Sequence, residues 1–342
     1  MAGEAREVAD GIFWVRLPLP FRLDHVNIWL LKEDNGWTVV DTGCATEQLF
    51  AIWKTLLATV MQGQPIRRVV STHGHVDHIG LSGWLVERFG AEFVSTFGEW
   101  CWARLAHMHE VPGARKAYFQ HLTRHGIKAD LANEMVGKRG GYIDLATTIP
   151  DAMTEIRDGG RIRLGNRDWE VLVTPGHSFE HASFLDRQSG IWISGDHLLP
   201  KISPVIAVYE LLPDADPLGD YLSSFERFTD FAADMLVLPS HGLPYRGVHD
   251  RIDELRQHHA ERLEATVRFL HSQKTSFELV RDMFPHVDDV EGVGFAFGET
   301  VAHINYLVAR DRVEKTAQND GLLLFRARTS GGQGGLRAGG IR

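Results

Sequence analysis

Apolar and polar positions change rhythm three times along this chain. Over residues 12–40 short apolar runs (12–17, 26–31 and 37–40) are broken by Pro18, Pro20 and the turn Glu33-Asp34-Asn35-Gly36, and the Asn-Gly pair predicts a hairpin. Residues 47–61 carry Leu49, Ile52, Trp53, Leu56 and Val60 at helical spacing. An apolar strand at 66–71, a helix at 79–89 and a strand at 93–96 follow, an alternation that predicts α/β architecture. Residues 97–149 break the rhythm, being helix-compatible and rich in Trp, His and Met. Strand grammar returns at 154–156, 161–164, 169–174, 183–186, 191–194 and 234–239. From residue 248 the pattern is helical, at 251–271, 276–283 and 299–308, with a short apolar run at 321–325. Gly and Arg dominate residues 328–342, the composition of a disordered tail.

Bulk composition narrows the classes. The 342 residues are 44% hydrophobic and 24% charged, which suits a globular protein with a sizeable core. No run approaches the roughly 20 apolar residues of a membrane span, and the polar start does not read as a secretory signal. Two distant cysteines, Cys44 and Cys101, make no disulfide framework, so a reducing cytoplasm is the expected setting. The net charge of −9 disfavours a nucleic-acid partner without excluding one.

The chemistry concentrates in Thr72-His73-Gly74-His75-Val76-Asp77-His78, directly after the apolar strand. Four imidazole or carboxylate groups in six positions, at a strand's carboxyl end, form a metal-loop pattern suited to zinc and similar ions. One loop cannot enclose a metal pair. Further donors stand after later strands: His177 in Thr-Pro-Gly-His, Asp196 in Ser-Gly-Asp and His241 in Pro-Ser-His-Gly. Cys44 has no basic neighbour and reads as a structural thiol. His181 and His197 read as packed histidines beside the donors, and His303 as core-facing.

The ordered set His73-x-His75-x-Asp77-His78, His177, Asp196, His241 resembles the ligand pattern of the metallo-β-lactamase superfamily over residues 10–245 or so, and Asp41-Thr42-Gly43 resembles its early acidic turn. The resemblance implies an α/β, four-layered αβ/βα sandwich over residues 1–247, with 97–149 as a helical insert. A mainly helical, winged-helix-like C-terminal domain at 248–326 and a disordered tail at 327–342 would follow. It implies two Zn2+ ions, with Fe or Mn as alternatives. His73, His75 and His177 would hold one, Asp77, His78 and His241 the other, and Asp196 would bridge them. A hydroxide shared by ions roughly 3.5–4 Å apart would attack the substrate, Asp77 would orient it or take its proton, and Asp41 would brace a ligand imidazole. His75 in place of a glutamate sets the chain apart from the diiron flavoprotein branch.

The layout of hydrolase domain plus helical domain resembles the branch of glyoxalase II-like thioesterases and β-lactamase-like endoribonucleases. A carboxylic ester, acyl-CoA-like thioester or lactone is the expected substrate. Single-strand RNA cleavage, iron-dependent persulfide oxidation and a non-catalytic metal-binding role are the alternatives. Few Lys or Arg accompany the ligand loops, Lys201, Arg246 and Arg251 being the exceptions. The insert reads either as a substrate cap, lined by Trp100, Trp102, Met108 and Tyr118, or as ordinary core or a homodimer contact. Tyr209 and Tyr245 follow ligand segments and are candidate donors to a developing oxyanion.

Overall fold

The computed structural model describes residues 3–107 and 113–328, with side chains at 107 and 140–143 left aside. The first sheet has seven strands in sequence order. It comprises β1 (Ala5–Ala9), β2 (Ile12–Pro18), β3 (His25–Glu33), β4 (Gly36–Val40), β5 (Ile66–Val70), β6 (Glu92–Ser95) and β7 (Thr154–Glu155). Its first four strands are antiparallel, and β4 to β7 run parallel. The second sheet comprises β8 (Arg161–Leu164), β9 (Arg167–Val173), β10 (Ala182–Asp186), β11 (Ile191–Gly195) and β12 (Leu236–Pro239), ordered β12-β11-β10-β9-β8.

Strand alternation sorts side chains into three cores. In β3, Val26, Ile28 and Leu30 face an outer core with Leu49 and Trp53 of helix α1 (Glu47–Ala58). Trp29 and Leu31 face inward and meet Trp169, Val171, Phe184 and Ile193 of the second sheet. The outer face of that sheet, through Leu172, Leu185, Trp192 and Val237, opens onto the third core. The result is the four-layered αβ/βα sandwich. The helix expected over 79–89 is broken into α2 (Val76–Ile79) and α3 (Ser82–Phe89). The polar start hides β1, an edge strand that is half exposed and so lacks an apolar signature.

The insert forms α4 (Phe97–His107), α5 (Ala114–Arg124) and α6 (Ala129–Ile143). Leu122, Ile127, Ala132 and Met135 join the third core, beside residues of α7 (Pro217–Ser224), α8 (Val248–Phe269), α9 (Ser276–Met283) and α10 (Val290–Ala309). Thus α5 and α6 are packed in the same core as the C-terminal helices, whereas Ala103 of α4 belongs to the outer core over the first sheet. The apolar run near 321–325 is one arm of a hairpin, β13 (Val313–Ala317) with β14 (Leu323–Ala327). Lys274 bridges to Phe325, so three helices and a hairpin follow in winged-helix order. Ala327, placed in the tail by the sequence pattern, closes β14; residues 329–342 and Met108 lie outside the described residues.

Candidate metal centre

Every expected ligand stands just beyond a strand end, on the rim where the two sheets are stitched together. Ala182 donates its N–H to the Thr72 carbonyl (2.8 Å), and the Asn27 side chain donates to the Pro239 carbonyl (2.8 Å). On this rim β5 delivers His73 to His78, β9 delivers His177, β11 delivers Asp196 and β12 delivers His241. Three overlapping groups have donor atoms within 4.8 Å of one another: His73, His75 and His177; His73, His78 and Asp196; Asp77, His78 and His241. His73 Nε2 lies 2.8 Å from His75 Nδ1 and 3.2 Å from His177 Nε2. Asp77 Oδ2 lies 3.4 Å from His78 Nε2 and 3.5 Å from His241 Nε2. Asp196 stands between the two halves, 3.4 Å from His177 Nε2 and 3.3 Å from His241 Nε2 through Oδ2, and 3.6 Å from His78 Nε2 through Oδ1.

The opposite nitrogen of each of these imidazoles is already held. His73 Nδ1 meets the Thr72 hydroxyl at 3.0 Å, and His78 Nδ1 meets Asp41 Oδ2 at 2.8 Å. His177 Nδ1 meets the Val205 carbonyl at 2.8 Å, and His241 Nδ1 the His25 carbonyl at 2.7 Å. His75 Nε2 meets the Tyr209 hydroxyl at 3.3 Å. Such outer contacts fix the tautomer and aim the other nitrogen inward, the usual arrangement around a bound metal. The buried His78 Nε2, His241 Nε2 and Asp196 Oδ1 have no hydrogen-bond partner. A buried polar atom without a partner is costly, and a pair of divalent ions would satisfy all three. The donor set, imidazole and carboxylate without thiolate, fits zinc, iron or manganese.

Charge divides the centre. Burial, reinforced by neighbouring histidines, holds His75 down at about 3 and His73 far below its ordinary value, so both are neutral donors. Burial also opposes charge on His78, but the carboxylates of Asp77, Asp196 and Asp41 outweigh it and push the group well up. Asp77 is likewise resisted by burial, yet His78 and His241 bring it down to about 2. The carboxylates thus stay ionised and favour positive charge between them.

Asp41 stands beside His78 in a constrained turn. It adopts a left-handed backbone, φ 62°, uncommon outside glycine. From there it accepts the Thr72 N–H and hydroxyl, both at 2.8 Å, as well as facing His78. His181 is buried and accepts the Asp196 N–H at 3.0 Å. It lies so close beneath Gly195, φ 56°, that a Cβ there would come within 2.5 Å of the imidazole. His197 pairs with Ser224, and His303 with the Glu299 carbonyl. Cys44 is buried, and burial pushes its thiol far up, the reverse of an activated nucleophile.

The aromatic candidates separate. Trp102 packs against Phe179 and Tyr209, with ring centroids 5.3 and 5.1 Å away, beside the Gly74 backbone. The Trp100 indole donates to the Pro150 carbonyl, and its ring packs partly buried against the outer core over the first sheet. Tyr118 is partly buried against the third core under the Arg139 guanidinium. Tyr245 is held by backbone pairing with Val237, and its hydroxyl points to the Leu198 carbonyl. The Tyr209 hydroxyl reaches the centre on the outer nitrogen of His75, at 3.3 Å.

Sequence reasoning missed Phe179 and Glu99. Glu99 is fully buried in α4, where burial raises its carboxyl against the N–H bonds from Glu180 and Gly74 that favour its charge. An acidic residue set among the aromatics Phe97, Trp100 and Trp102 was the available signal.

Residues 21–241 match the profile described as Metallo-beta-lactamase superfamily, and residues 263–328 the one described as Metallo-beta-lactamase-like, C-terminal domain. A relative in Bacillus subtilis, the probable metallo-hydrolase YqjP, is 28% identical across 89% of this chain and 94% of its own length. The human acyl-coenzyme A thioesterase MBLAC2 is 25% identical across 69% of this chain and 80% of its own. Among solved structures, a beta-lactamase domain protein from Burkholderia ambifaria is 36% identical, with a TM-score of 0.85 over 96% of this chain and 94% of that one. A metallo-beta-lactamase family protein from Thermus thermophilus is 30% identical, with a TM-score of 0.80 over 94% and 100%.

Proposed function

Because this chain belongs to the metallo-beta-lactamase superfamily, we propose that it is a two-metal hydrolase of acyl substrates, a thioester or ester being the best fit. The observation that carries the reading is the set of five imidazoles held by their outer nitrogens with their inner nitrogens converging on Asp77 and Asp196. His73, His75 and His177 would hold one ion, Asp77, His78 and His241 the second, and Asp196 would serve both. Zinc is the metal we favour. Bound ions would supply Lewis acidity and a nucleophile at neutral pH. Asp77, kept ionised and partly open to solvent, would orient an attacking water by accepting its hydrogen bond. Trp102, Phe179 and Tyr209 would offer an aromatic wall to the apolar part of the substrate beside His75.

The name of the MBLAC2 relative supports acyl hydrolysis over phosphodiester cleavage. So does the basic inventory. Arg251 is engaged with the Leu199 and Ile202 carbonyls, and α10, the third helix of the C-terminal unit, carries no Lys or Arg and is largely buried. A strand of RNA needs free cations along its path. Among the described residues no helix is long and apolar enough to cross a membrane.

The test is parallel turnover of a medium-chain acyl thioester and a short single-stranded RNA by protein of measured metal content. Thioester cleavage that scales with about two ions per chain is the expected outcome. RNA cleavage without thioester turnover would replace the acyl reading with a nuclease.

A further inference from the structure

The two loops that carry the neutral half of the centre come from different sheets, yet one side chain of the insert touches both. Glu99 stands in the first turn of α4 and is wholly buried. Its Oε2 accepts the N–H of Gly74, the residue between His73 and His75, at 2.8 Å. Its Oε1 accepts the N–H of Glu180, three residues beyond His177, at 2.7 Å. The contact is reciprocal: Glu180 Oε2 accepts the Gly98 N–H at 2.6 Å, and its carbonyl accepts the Thr96 hydroxyl at 3.0 Å. The approach is so close that a Cβ on Gly74 would lie 2.9 Å from both the Glu99 carbonyl oxygen and the Trp102 ring. A Cβ on Gly98 would lie 2.7 Å from the Glu180 carboxyl.

We propose that Glu99 is a positioning residue for one of the two ions: its buried carboxylate sets the separation between the His73–His75 loop and the His177 loop. The proposal rests on the reading of those three histidines as ligands. On the same loop His78 has its own brace in Asp41, and His241 has one in the His25 carbonyl. Glu99 touches neither brace, so its influence falls first on the half formed by His73, His75 and His177. Charge-assisted bonds to backbone N–H groups are among the stronger hydrogen bonds, and a buried N–H left without its acceptor must relax. The loops would then move apart, and the triad would lose its convergence.

The experiment is stepwise Co2+ binding to metal-free full-length protein, followed by its optical absorption and by chelator competition, for the unmodified chain, Glu99→Ala, Glu99→Gln and Glu180→Gln. In Glu99→Ala one binding step is expected to weaken about 10–100-fold, with an altered absorption band, while the other step is unchanged. Glu99→Gln keeps one acceptor oxygen and should fall between. Glu180→Gln keeps an acceptor oxygen for the Gly98 N–H and removes only the charge there, so it should stay close to the unmodified affinity. Unchanged affinities in both Glu99 variants would overturn the proposal. Equal weakening of both steps, or an equal loss in Glu180→Gln, would also overturn it by assigning the effect to general packing of α4. Failure of the unmodified chain to take up two ions would instead overturn the ligand reading beneath it.

Discussion

Two sets of buried or half-buried histidines make an instructive contrast. His73, His75, His78, His177 and His241 converge on the rim, while His125, His259 and His303 lie in the layer formed by the insert and the C-terminal helices. Burial alone does not tell them apart. What differs is the company on the second nitrogen. In the rim set every outer nitrogen is held and the inner ones meet one another and two carboxylates. In the other set one nitrogen has a partner (Ser276 for His125, Ser203 for His259, the Glu299 carbonyl for His303), and the rings otherwise meet aromatic neighbours. A metal centre is thus a matter of convergence, and a lone buried imidazole is a polar group accommodated in a core.

The contrast should break most visibly at the bridging position. Asp196→Ala and His78→Ala are each expected to lose most activity and at least one ion, whereas His303→Leu keeps both ions; metal analysis alongside thioester turnover decides this. Full metal content and turnover in the first two variants would refute their assignment as ligands.

Acid should act on the second set. Burial, first among the causes, lowers His125 and His259 to about 3 and His303 to about 4, against 6.5 for a free imidazole. The unfolded chain therefore binds more protons than the folded one between pH 6.5 and those values, so stability falls as pH falls through that window. The slope approaches about 1.4 kcal/mol per pH unit for each histidine. Thermal melts followed by circular dichroism from pH 7 to pH 4 should show it, and His259→Leu should flatten the slope. A melting temperature independent of pH would contradict the expectation.

Smaller effects sharpen the rim side. Asp41→Ala removes the acceptor for the Thr72 N–H and for His78, and should weaken binding of one ion about 10–100-fold by chelator titration. Tyr209→Phe loses a single hydrogen bond of about 1 kcal/mol and should cost about fivefold in metal affinity, with no loss of fold. An effect confined to catalysis would move Tyr209 from the ligand to the substrate.

Legibility followed the range of the interactions. The His73–His78 loop and the later His177, Asp196 and His241 each sit in a short segment just after an apolar strand, so local pattern exposed them. The β3–β4 hairpin was visible for the same reason. The packing of Trp100, Tyr118 and Tyr245 was not legible, because aromatic content marks a segment as apolar without saying which face meets which layer. Glu99 and Phe179 escaped notice because their partners, Glu180 and Trp102, lie far away along the chain, 81 residues in the case of Glu99.

Taken alone, the order of residues determined the alternation of strands and helices, the identity of the donor side chains and their attachment to strand ends, since these depend on neighbours within a few positions. The tertiary structure decided which donors meet, that Tyr209, Val205 and His25 supply the outer contacts, and that Glu99 joins two loops across the sheets. Those contacts are made only when two sheets close on a common core, and the free energy that brings them together is spread over buried side chains far from the site.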